Sequence, residues 1–470
     1  MFKSTRRAKR ARVAALSALA LTAAWAAQAQ TYAIEFVDSP ASGSRMNASG
    51  AIVGAWTTWP CADHQCIPQS HVGVWRAEGR FELPTLPGYT ASPAAIAAGG
   101  LVVGSLSDFL GPARAAIWQF AGGAYQVTDL GVLPGMTRAQ AVGIDATGRV
   151  VGFSSAPLGW KPFVWTAATG MVDLTLAGFP ADRPWDVSPE GRVSADDHSY
   201  HLDDVNSVRP FAAPPPGFRA ATGVRSRIND HGDLAVFLGT TVSDPLYYLH
   251  RYTAATGAWQ LLSGSPNGNL SRWGIGSIDA GATVVATVTS TAVRAQGPGG
   301  TAQSLGSQMS PAYVDAFVST AGEEIADGRI VASVFIGRSP RLARLAPVQA
   351  CVGACLRVAS LVMTGVFVDD PKNPGSCTPK ARNRIKARLR VTDAAGNPQA
   401  GVKIQARYLD DYDLNRPLTG RTNSNGELTL KHEGPACVGA VALLVEKASL
   451  PGWKLDRTQG VLNGQVIPLP

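Results

Sequence analysis

The chain has 470 residues, of which 45% are hydrophobic and only 16% are charged, and it contains 50 glycines and 32 prolines. Its formal net charge is +8, but six basic and no acidic residues fall within the first 30 positions, so the remainder carries 36 basic against 34 acidic residues. This near-neutral remainder has no cluster of Lys and Arg interleaved with aromatic residues, which argues against nucleic acid as a partner. The composition, without long 3.6-residue periodicity, predicts many short strands joined by turns, and the length predicts two domains.

Residues 1–30 are predicted to be a secretory signal peptide. Basic residues up to Arg12 precede the apolar run VAALSALALTAAWAAQAQ, and an A-x-A-like cleavage site follows near Ala27 and Ala29. The alternative, an uncleaved membrane anchor, is disfavoured because the run is short and weakly hydrophobic for a span of about 20 residues. We therefore expect an extracytoplasmic chain, either secreted, periplasmic or at the cell surface, with no membrane insertion once the signal is removed.

The cysteines are typical of an oxidising compartment, and we predict that they form disulfides. The six are Cys61, Cys66, Cys351, Cys355, Cys377 and Cys437. Cys351 with Cys355 and Cys377 with Cys437 is the simplest pairing of the last four, although the spacing alone leaves the connectivity open. A zinc site is the alternative, but neither CxxxxC nor CVGAC has the spacing of a zinc knuckle.

A motif recurs along residues 31–347. An apolar residue precedes a short polar turn with glycine and a β-branched run, as in MNASGAIVGAW from Met46, IAAGGLVVGSL from Ile96 and IDATGRVVGFS from Ile144. Weaker copies begin at Val187, Ile228, Ile278 and Ile325. The turns therefore recur about every 41 to 50 residues, and clear copies continue into an aromatic-centred strand and a fourth strand.

Four strands in such a period are typical of one blade of a β-propeller, and seven turns predict about seven blades. The last unit ends after its third strand, whereas the orphan strand TYAIEFVDS at Thr31 matches the fourth. We therefore expect the N-terminal strand to complete the final blade and close the ring. Six or eight blades, or two packed sandwiches, are the alternatives.

The stretch AVGIDATGRVVGFSS, followed by PFVWTAATGMVDL, resembles the HAF-type extracellular repeat of bacterial secreted proteins. That repeat has an IN-x-x-G-x-V-V-G core, an aromatic-Trp strand and a DLG ending. The resemblance is close around Gly50, Gly100 and Gly148 and looser from Gly191 onward. It implies a secreted, propeller-like repeat and supplies no established catalytic residues.

Residues 348–470 follow another pattern. RLRVTDAAGNPQAGVKIQARY from Arg388, RTNSNGELTL from Arg421 and ACVGAVALLVEKA from Ala436 predict the strands of a small β-sandwich. The V-T-D-x-x-G-N-P and T-N-x-N-G elements resemble bacterial Ig-like domains of surface and secreted proteins. That resemblance implies a spacer or adhesion module. The predicted fold class is thus all-β, a propeller followed by an Ig-like sandwich.

The segment GIDATGRVVGFSS has the glycines of a phosphate-binding loop but lacks its chemistry. Arg149 is followed by a predicted strand, where a phosphate loop needs Lys, then Ser or Thr, and a helix N-terminus. The polar segments DDHSYHLDD, with His198 and His201, and LDDYDLN are interpreted as solvated loops, with a metal site as the alternative for each. We therefore predict no catalytic, cofactor or metal residue.

Five tryptophans near predicted turns are predicted ligand contacts, because an exposed indole offers a flat apolar face to sugars or peptide side chains. They are Trp56, Trp59, Trp160, Trp185 and Trp273. Packing between blades is the alternative role for these side chains. The predicted function is a secreted, non-catalytic binding or cell-surface interaction module with a glycan or a surface protein as partner. The alternative is a propeller hydrolase or lyase with its site at the channel mouth.

Overall fold

The structure is a computed structural model, and the residues it describes lie between positions 30 and 466. They are 30–38, 41–58, 67–108, 111, 113–157, 159–180, 183–195, 199–204, 207–220, 226–240, 247–264, 274–288, 291–297, 299–313, 316–320, 325–326, 328–336, 340–368, 372, 381–410, 415–435 and 441–466. The predicted signal peptide up to residue 29 lies outside them. No helix in this part of the chain is long and apolar enough to cross a membrane.

The described residues form β-strands and two short 3-10 helices, which confirms the predicted all-β class. The strands up to residue 348 are β1 (Thr31–Asp38), β2 (Ala41–Met46), β3 (Ile52–Thr58), β4 (Gln69–Arg76), β5 (Gly79–Glu82), β6 (Tyr89–Ile96), β7 (Val102–Asp108), β8 (Ala113–Ala121), β9 (Ala124–Gly131), β10 (Arg138–Ile144), β11 (Val150–Ala156), β12 (Gly159–Thr166), β13 (Gly170–Asp173), β14 (Pro184–Val187), β15 (Arg192–Ala195), β16 (Ser199–Asp204), β17 (Ser207–Ala212), β18 (Phe218–Ala220), β19 (Arg227–Ile228), β20 (Leu234–Thr240), β21 (Tyr247–Thr253), β22 (Ala258–Gly264), β23 (Gly274–Ile278), β24 (Val284–Val288), β25 (Thr291–Ala295), β26 (Ala302–Ser304), β27 (Ala316–Thr320), β28 (Ile325–Ala326), β29 (Arg329–Ile336) and β30 (Pro340–Val348). The C-terminal strands are β31 (Cys355–Val368), β32 (Arg382–Thr392), β33 (Lys403–Asp410), β34 (Asn415–Arg421), β35 (Glu427–Pro435), β36 (Val441–Ser449), β37 (Lys454–Leu455) and β38 (Asn463–Val466). The 3-10 helices span Leu174–Ala177 and Gly306–Gln308.

Among the described residues, the strands up to β30 form seven antiparallel sheets. Five of them use four consecutive strands each, namely β2–β5, β6–β9, β10–β13, β14–β17 and β23–β26. A sixth has the order β18-β20-β21-β22, with β19 also paired to β20, and the seventh has the order β1-β30-β29-β27, with β28 paired to β29. Each sheet packs against the next along the chain, and the seventh packs against β2 of the first. We call these seven sheets the ring.

The N-terminal strand closes this succession. Strand β1 pairs antiparallel with β30, and Thr31 lies opposite Val348 and Ile34 opposite Leu345. The pairing confirms the prediction that the orphan N-terminal strand joins the last repeat. Tyr32 and Ile34 are buried in a core shared with the seventh sheet, so the two ends of the ring sequence become one sheet.

The second strand of a repeat is buried on both faces, because each sheet lies between two others. In β7, Val102, Val103 and Leu106 are completely buried although alternate residues point to opposite faces. This double burial explains why the repeat motif reads as a continuous β-branched run and not as an alternating pattern.

The repeated turn is held by the side chain of its Asn or Asp. The Oδ1 of Asp145 accepts hydrogen bonds from the main-chain N–H groups of Thr147 and Arg149. Where the residue is Asn, its amide also donates to the next turn along the ring, as Asn47 Nδ2 does to the carbonyl of Ala97 at 2.8 Å. The turn motif therefore couples neighbouring sheets as well as reversing the chain.

The C-terminal strands form two four-stranded sheets, of order β35-β32-β31-β37 and β34-β33-β36-β38. Ile385 and Leu389 of the first sheet and Ile404 and Tyr408 of the second are buried in one core. The core continues into the ring, and Leu462 N donates to the Ala312 carbonyl at 2.7 Å. The C-terminal sheets are therefore packed on the ring and not tethered loosely to it.

Cys351 and Cys355 form a disulfide, as predicted, with Cα atoms 6.1 Å apart. The bond closes the segment that leads into β31. The other predicted disulfide cysteines lie outside the described residues, so their pairing stays a prediction; they are Cys61, Cys66, Cys377 and Cys437.

Candidate functional site

Two buried arginines cross the centre of the ring. Arg45 on β2 donates from Nε to the carbonyl of Ala94 on β6 at 3.0 Å and from Nη1 to the carbonyl of Gly276 on β23 at 3.1 Å. Arg227 on β19 donates from Nε to the same Gly276 carbonyl at 2.8 Å. Because these bonds join the first strands of different sheets, those strands face a common axis, and two guanidinium groups fill the axis at this level.

A third guanidinium lies among aromatic rings beside this axis. The Arg183 Cζ atom is 4.8 Å from the ring centroid of Phe153, 4.5 Å from that of Trp160 and 5.2 Å from that of Trp185. Phe153 and Trp160 also meet edge to face, with centroids 6.1 Å apart. We call these four residues the Arg183 cage. Each of the four is half-buried, so part of each side chain is exposed to solvent.

Two adjacent sheets position the cage. Phe153 and Trp160 lie on β11 and β12, close to the hairpin between them, while Arg183 precedes β14 and Trp185 lies within it. Strand β11 starts at the repeated turn and runs away from it, and its last residues pair with the start of β12. The cage therefore lies on the face of the ring opposite the repeated turns.

The cage borders the axis itself. Phe153 and Trp185 line a small cavity of about 20 Å³. Its other lining residues are Arg45, Ala94, Gln140 and Val142. We call the end of the axis on the face that carries the cage the mouth. A space of this size holds about one water molecule, so a larger ligand would bind across the mouth and not inside the axis. Flat aromatic faces, fixed guanidinium donors and one amide suit the recognition of a sugar ring or a carboxylate.

A larger cleft, of about 680 Å³, lies at the seam where β1 meets the first sheet. Its most buried acid, Asp38, accepts hydrogen bonds at 2.7 Å on Oδ2 from Trp75 Nε1 and from Arg80 Nη1. Trp75 and Arg80 belong to the first sheet and Asp38 to the last, so these hydrogen bonds join the two sheets at which the ring closes. We therefore treat this cleft as part of the closure and the Arg183 cage as the candidate site.

The structure separates the five tryptophans predicted to contact ligand. Trp160 and Trp185 come together in the Arg183 cage. Trp56 is buried, with 6% of its surface exposed, and stacks on His71 at 5.3 Å between the first and last sheets. Trp59 and Trp273 lie outside the described residues. The role of these side chains in ligand binding stays a prediction.

Arg183 and Phe153 are the members of the cage that sequence reasoning missed. Phe153 belongs to the apolar strand motif, and Arg183 is a single basic residue before Pro184 with no periodic signal. Their convergence depends on the packing of two sheets, which no local pattern reports.

The motifs weighed for phosphate and metal have structural roles where they are described. Gly148 has φ +88° in the repeated turn, and strand β11 follows at Val150, so no helix N-terminus faces the loop. His201 Nδ1 pairs with Asp203 at 2.8 Å, while His198 and the loop of LDDYDLN after Asp410 lie outside the described residues. Within the described ranges, no group of three or more His, Cys, Asp or Glu side chains is placed to hold a metal ion.

His250 should make the stability of the ring depend on pH. It is 6% exposed, packs on Phe218 at 5.3 Å, and has Nδ1 3.0 Å from the Tyr248 carbonyl. Burial lowers the pKa of His250 below its ordinary value, against a smaller opposing effect of that carbonyl. Below pH about 6.5, the unfolded chain therefore binds a proton at this histidine more readily than the folded chain does.

We expect the free energy of unfolding to be unaffected by this group at higher pH and to fall below pH about 6.5, by at most about 1.4 kcal/mol per pH unit. Chemical denaturation at several pH values between 8 and 5 measures this fall in the free energy of unfolding. His250→Gln is the control, since it removes the titrating group. A slope that is equal in both proteins would contradict the assignment to His250.

No protein-family model matches the chain, and no curated protein sequence matches it. Solved structures with some likeness include an oligogalacturonate lyase in complex with manganese, at 8% identity and TM-score 0.43, over 68% of this chain and 97% of that one. TolB from Acinetobacter baumannii is 12% identical over 64% of each chain, with TM-score 0.33. Bacteroides ovatus Xyloglucan PUL GH43B is 9% identical over 93% of this chain and 92% of that one, with TM-score 0.24. At such low identities and TM-scores these likenesses carry no argument, and conclusions about this chain rest on its own residues.

Proposed function

We propose that the chain is an extracytoplasmic, non-catalytic binding module whose ligand site is the Arg183 cage at the mouth of the ring axis. The observation that carries the proposal is the convergence of three half-buried aromatic rings on one guanidinium, next to the axial cavity. Rigid rings at a concave mouth bind ligands at low entropic cost because little side-chain freedom remains to be lost.

The proposal includes the architecture. The seven sheets of the ring are seven blades of a β-propeller, β1 and β30 close it, and the two C-terminal sheets form an Ig-like sandwich over residues 348–470. Supporting observations are the closed succession of sheet contacts and the face-to-face burial of the C-terminal sheets. The similarity of the turn motif to the HAF-type repeat belongs to the same proposal.

The ligand class follows from the donors at the mouth. Arg183 and the amide of Gln140 provide N–H groups, while Trp160 and Trp185 provide apolar faces. This combination fits a glycan, in particular a sugar that carries a carboxylate, or a peptide side chain with a carboxylate next to an apolar part. An arginine over aromatic faces is also pre-oriented for a bidentate contact with such a group.

Trp160→Ala and Arg183→Ala should each weaken ligand binding at least about tenfold, because the truncation of an anchor in a concave site costs roughly 2 kcal/mol or more. A glycan array of neutral and acidic oligosaccharides and a pull-down of cell-envelope proteins would identify the ligand on residues 31–470. Isothermal titration with each variant would then measure the loss. Trp259→Ala is the matched control, since this half-buried indole lies on β22, away from the mouth.

The proposal would be refuted if neither the array nor the pull-down detected a ligand, or if the wild type and both cage variants bound the ligand equally well.

The second candidate, a hydrolase or lyase, is favoured by one observation, namely that polar groups from several sheets meet at the axis through Arg45 and Arg227. Chelator-sensitive turnover of a polysaccharide by the wild-type chain would support that candidate over the binding module.

A further inference from the structure

One strand of the C-terminal sandwich presents a straight row of positive charge. From Asn383 to Val391, the residues of β32 alternate strictly between buried and exposed positions. Ile385, Ala387 and Leu389 point into the core. Their neighbours are all exposed and basic, and they are Arg384, Lys386, Arg388 and Arg390. Alternate residues of a strand are about 6.6–6.8 Å apart, so the four cations extend over about 20 Å.

The centre of this row is not neutralised by its neighbours. Arg384 pairs with Glu433 at 3.1 Å at one end, and Arg390 lies opposite Glu427 at the other. In between, Lys386 lies directly opposite Lys431. Like charges at opposed positions destabilise a sheet. Within the described ranges, no ion pair involves these two lysines or Arg388.

The part of the exposed face that β31 contributes is partly apolar. On the other side of the row, Arg388 lies opposite Val362 and Arg384 opposite Val366. These valines are 57% and 61% exposed. We call the exposed residues of β31, β32 and β35 the basic face. It has no aromatic side chain on which a nucleic-acid base would stack, and its short valines are poor anchors for insertion into a lipid bilayer.

The charge is also unevenly distributed over the chain. Residues 348–470 contain 16 Lys and Arg against 10 Asp and Glu, whereas residues 31–347 contain 20 against 24. The near-neutral total therefore hides a basic C-terminal part joined to an acidic ring. An anion that approaches the protein is directed to the C-terminal part.

We propose that the basic face binds a linear anionic polysaccharide, whose regularly spaced carboxylate or sulfate groups follow β32. The charge spacing along the strand, the unneutralised centre and the exposed valines together fit an extended polyanion with apolar ring faces. The inference is independent of the Arg183 cage, because the two surfaces belong to different sheets and use different residues.

The test uses residues 31–470 with polygalacturonate and dextran sulfate as probes and neutral dextran of equal length as the reference. We expect both polyanions to bind, neutral dextran not to bind, and the affinity to fall as salt concentration rises. The double variant Lys386→Glu/Arg388→Glu should bind both polyanions at least about tenfold more weakly. It should remain folded, because both side chains are exposed and the new Glu at 386 faces Lys431.

Lys403→Glu/Lys447→Glu is the matched control. Both lysines are exposed on the other sheet of the sandwich, so the net charge changes equally while the basic face is intact. Equal loss in both double variants would reduce the effect to net charge and overturn the proposal. Anionic phosphatidylglycerol vesicles and a single-stranded oligonucleotide are the remaining probes. Binding to either of them without binding to the polysaccharides would also overturn it.

Discussion

Removal of the N-terminal strand Thr31–Asp38 should destabilise the whole ring, not only its edge. Tyr32 and Ile34 are almost completely buried in the seventh sheet. Burial of each large side chain contributes about 1.5–3 kcal/mol, so their loss removes a large part of the 5–15 kcal/mol that keeps a domain folded. The deletion also exposes the edge of β30. We expect a single unfolding transition at a much lower temperature, by calorimetry and by circular dichroism.

Point substitutions separate the closing role from a general effect of truncation. Ile34→Asp places an unpaired charge in the core of the closing sheet and should cost roughly 3 kcal/mol or more. Its neighbour Glu35 points outward, with 38% of its side chain exposed and a weak pair to Arg344. Glu35→Gln should cost less than about 0.5 kcal/mol. An unchanged melting temperature after deletion or Ile34→Asp would refute closure by β1.

Gly152→Val should be the most damaging single change in the third sheet of the ring. A Cβ atom at Gly152 would overlap the main-chain oxygen of Gln140 and the ring of Phe163. Gly152 lies opposite Ala141, where the first strand has a β-bulge before Gly143. The Gln140 carbonyl belongs to the backbone next to this bulge, and it cannot move aside as a flexible side chain would. We expect a loss of at least about 3 kcal/mol.

The same arrangement recurs in two other sheets. Gly54 and Gly104 have the oxygens of Ser42 and Ser92 in the equivalent position. Gly99→Ala is the control, because a Cβ atom there meets nothing within 4 Å, and it should change the stability by less than about 0.5 kcal/mol. Urea denaturation of the three proteins measures the difference. Similar midpoints for Gly152→Val and Gly99→Ala would show that the bulge tolerates a side chain.

The repeat could be recognised in the sequence because the turn of each copy needs the same backbone conformation. The turn needs a residue with positive φ, and Gly50, Gly100 and Gly148 have φ between +81° and +88°. In the copy from Ile278, Ala282 takes that position with φ +57°, which explains why its glycine is one residue out of place. The pairing of the orphan strand at Thr31 could also be predicted from the sequence, because a missing fourth strand would leave an unpaired sheet edge.

Only half of the candidate site could be predicted from the sequence. Trp160 and Trp185 lie near turns, but so does Trp56, which is buried with the Arg80 Cζ atom 4.3 Å from its ring centroid. Proximity to a turn does not distinguish an open mouth from a packed seam, because both lie at strand ends. Phe153 and Arg183 had no distinguishing signal at all.

The sequence by itself determined the all-β class, the repeated turn and the pairing of the two ends of the ring sequence, and it favoured the Cys351–Cys355 disulfide without fixing the connectivity. All of these depend on backbone conformation, on local spacing or on a strand count that must close. The tertiary structure alone decided that Arg45 and Arg227 fill the axis, that Arg183 lies among three rings, and that the second glycine of the motif faces a bulge. These features arise where separate strands or sheets meet, and contacts between residues distant along the chain leave no periodic trace in it.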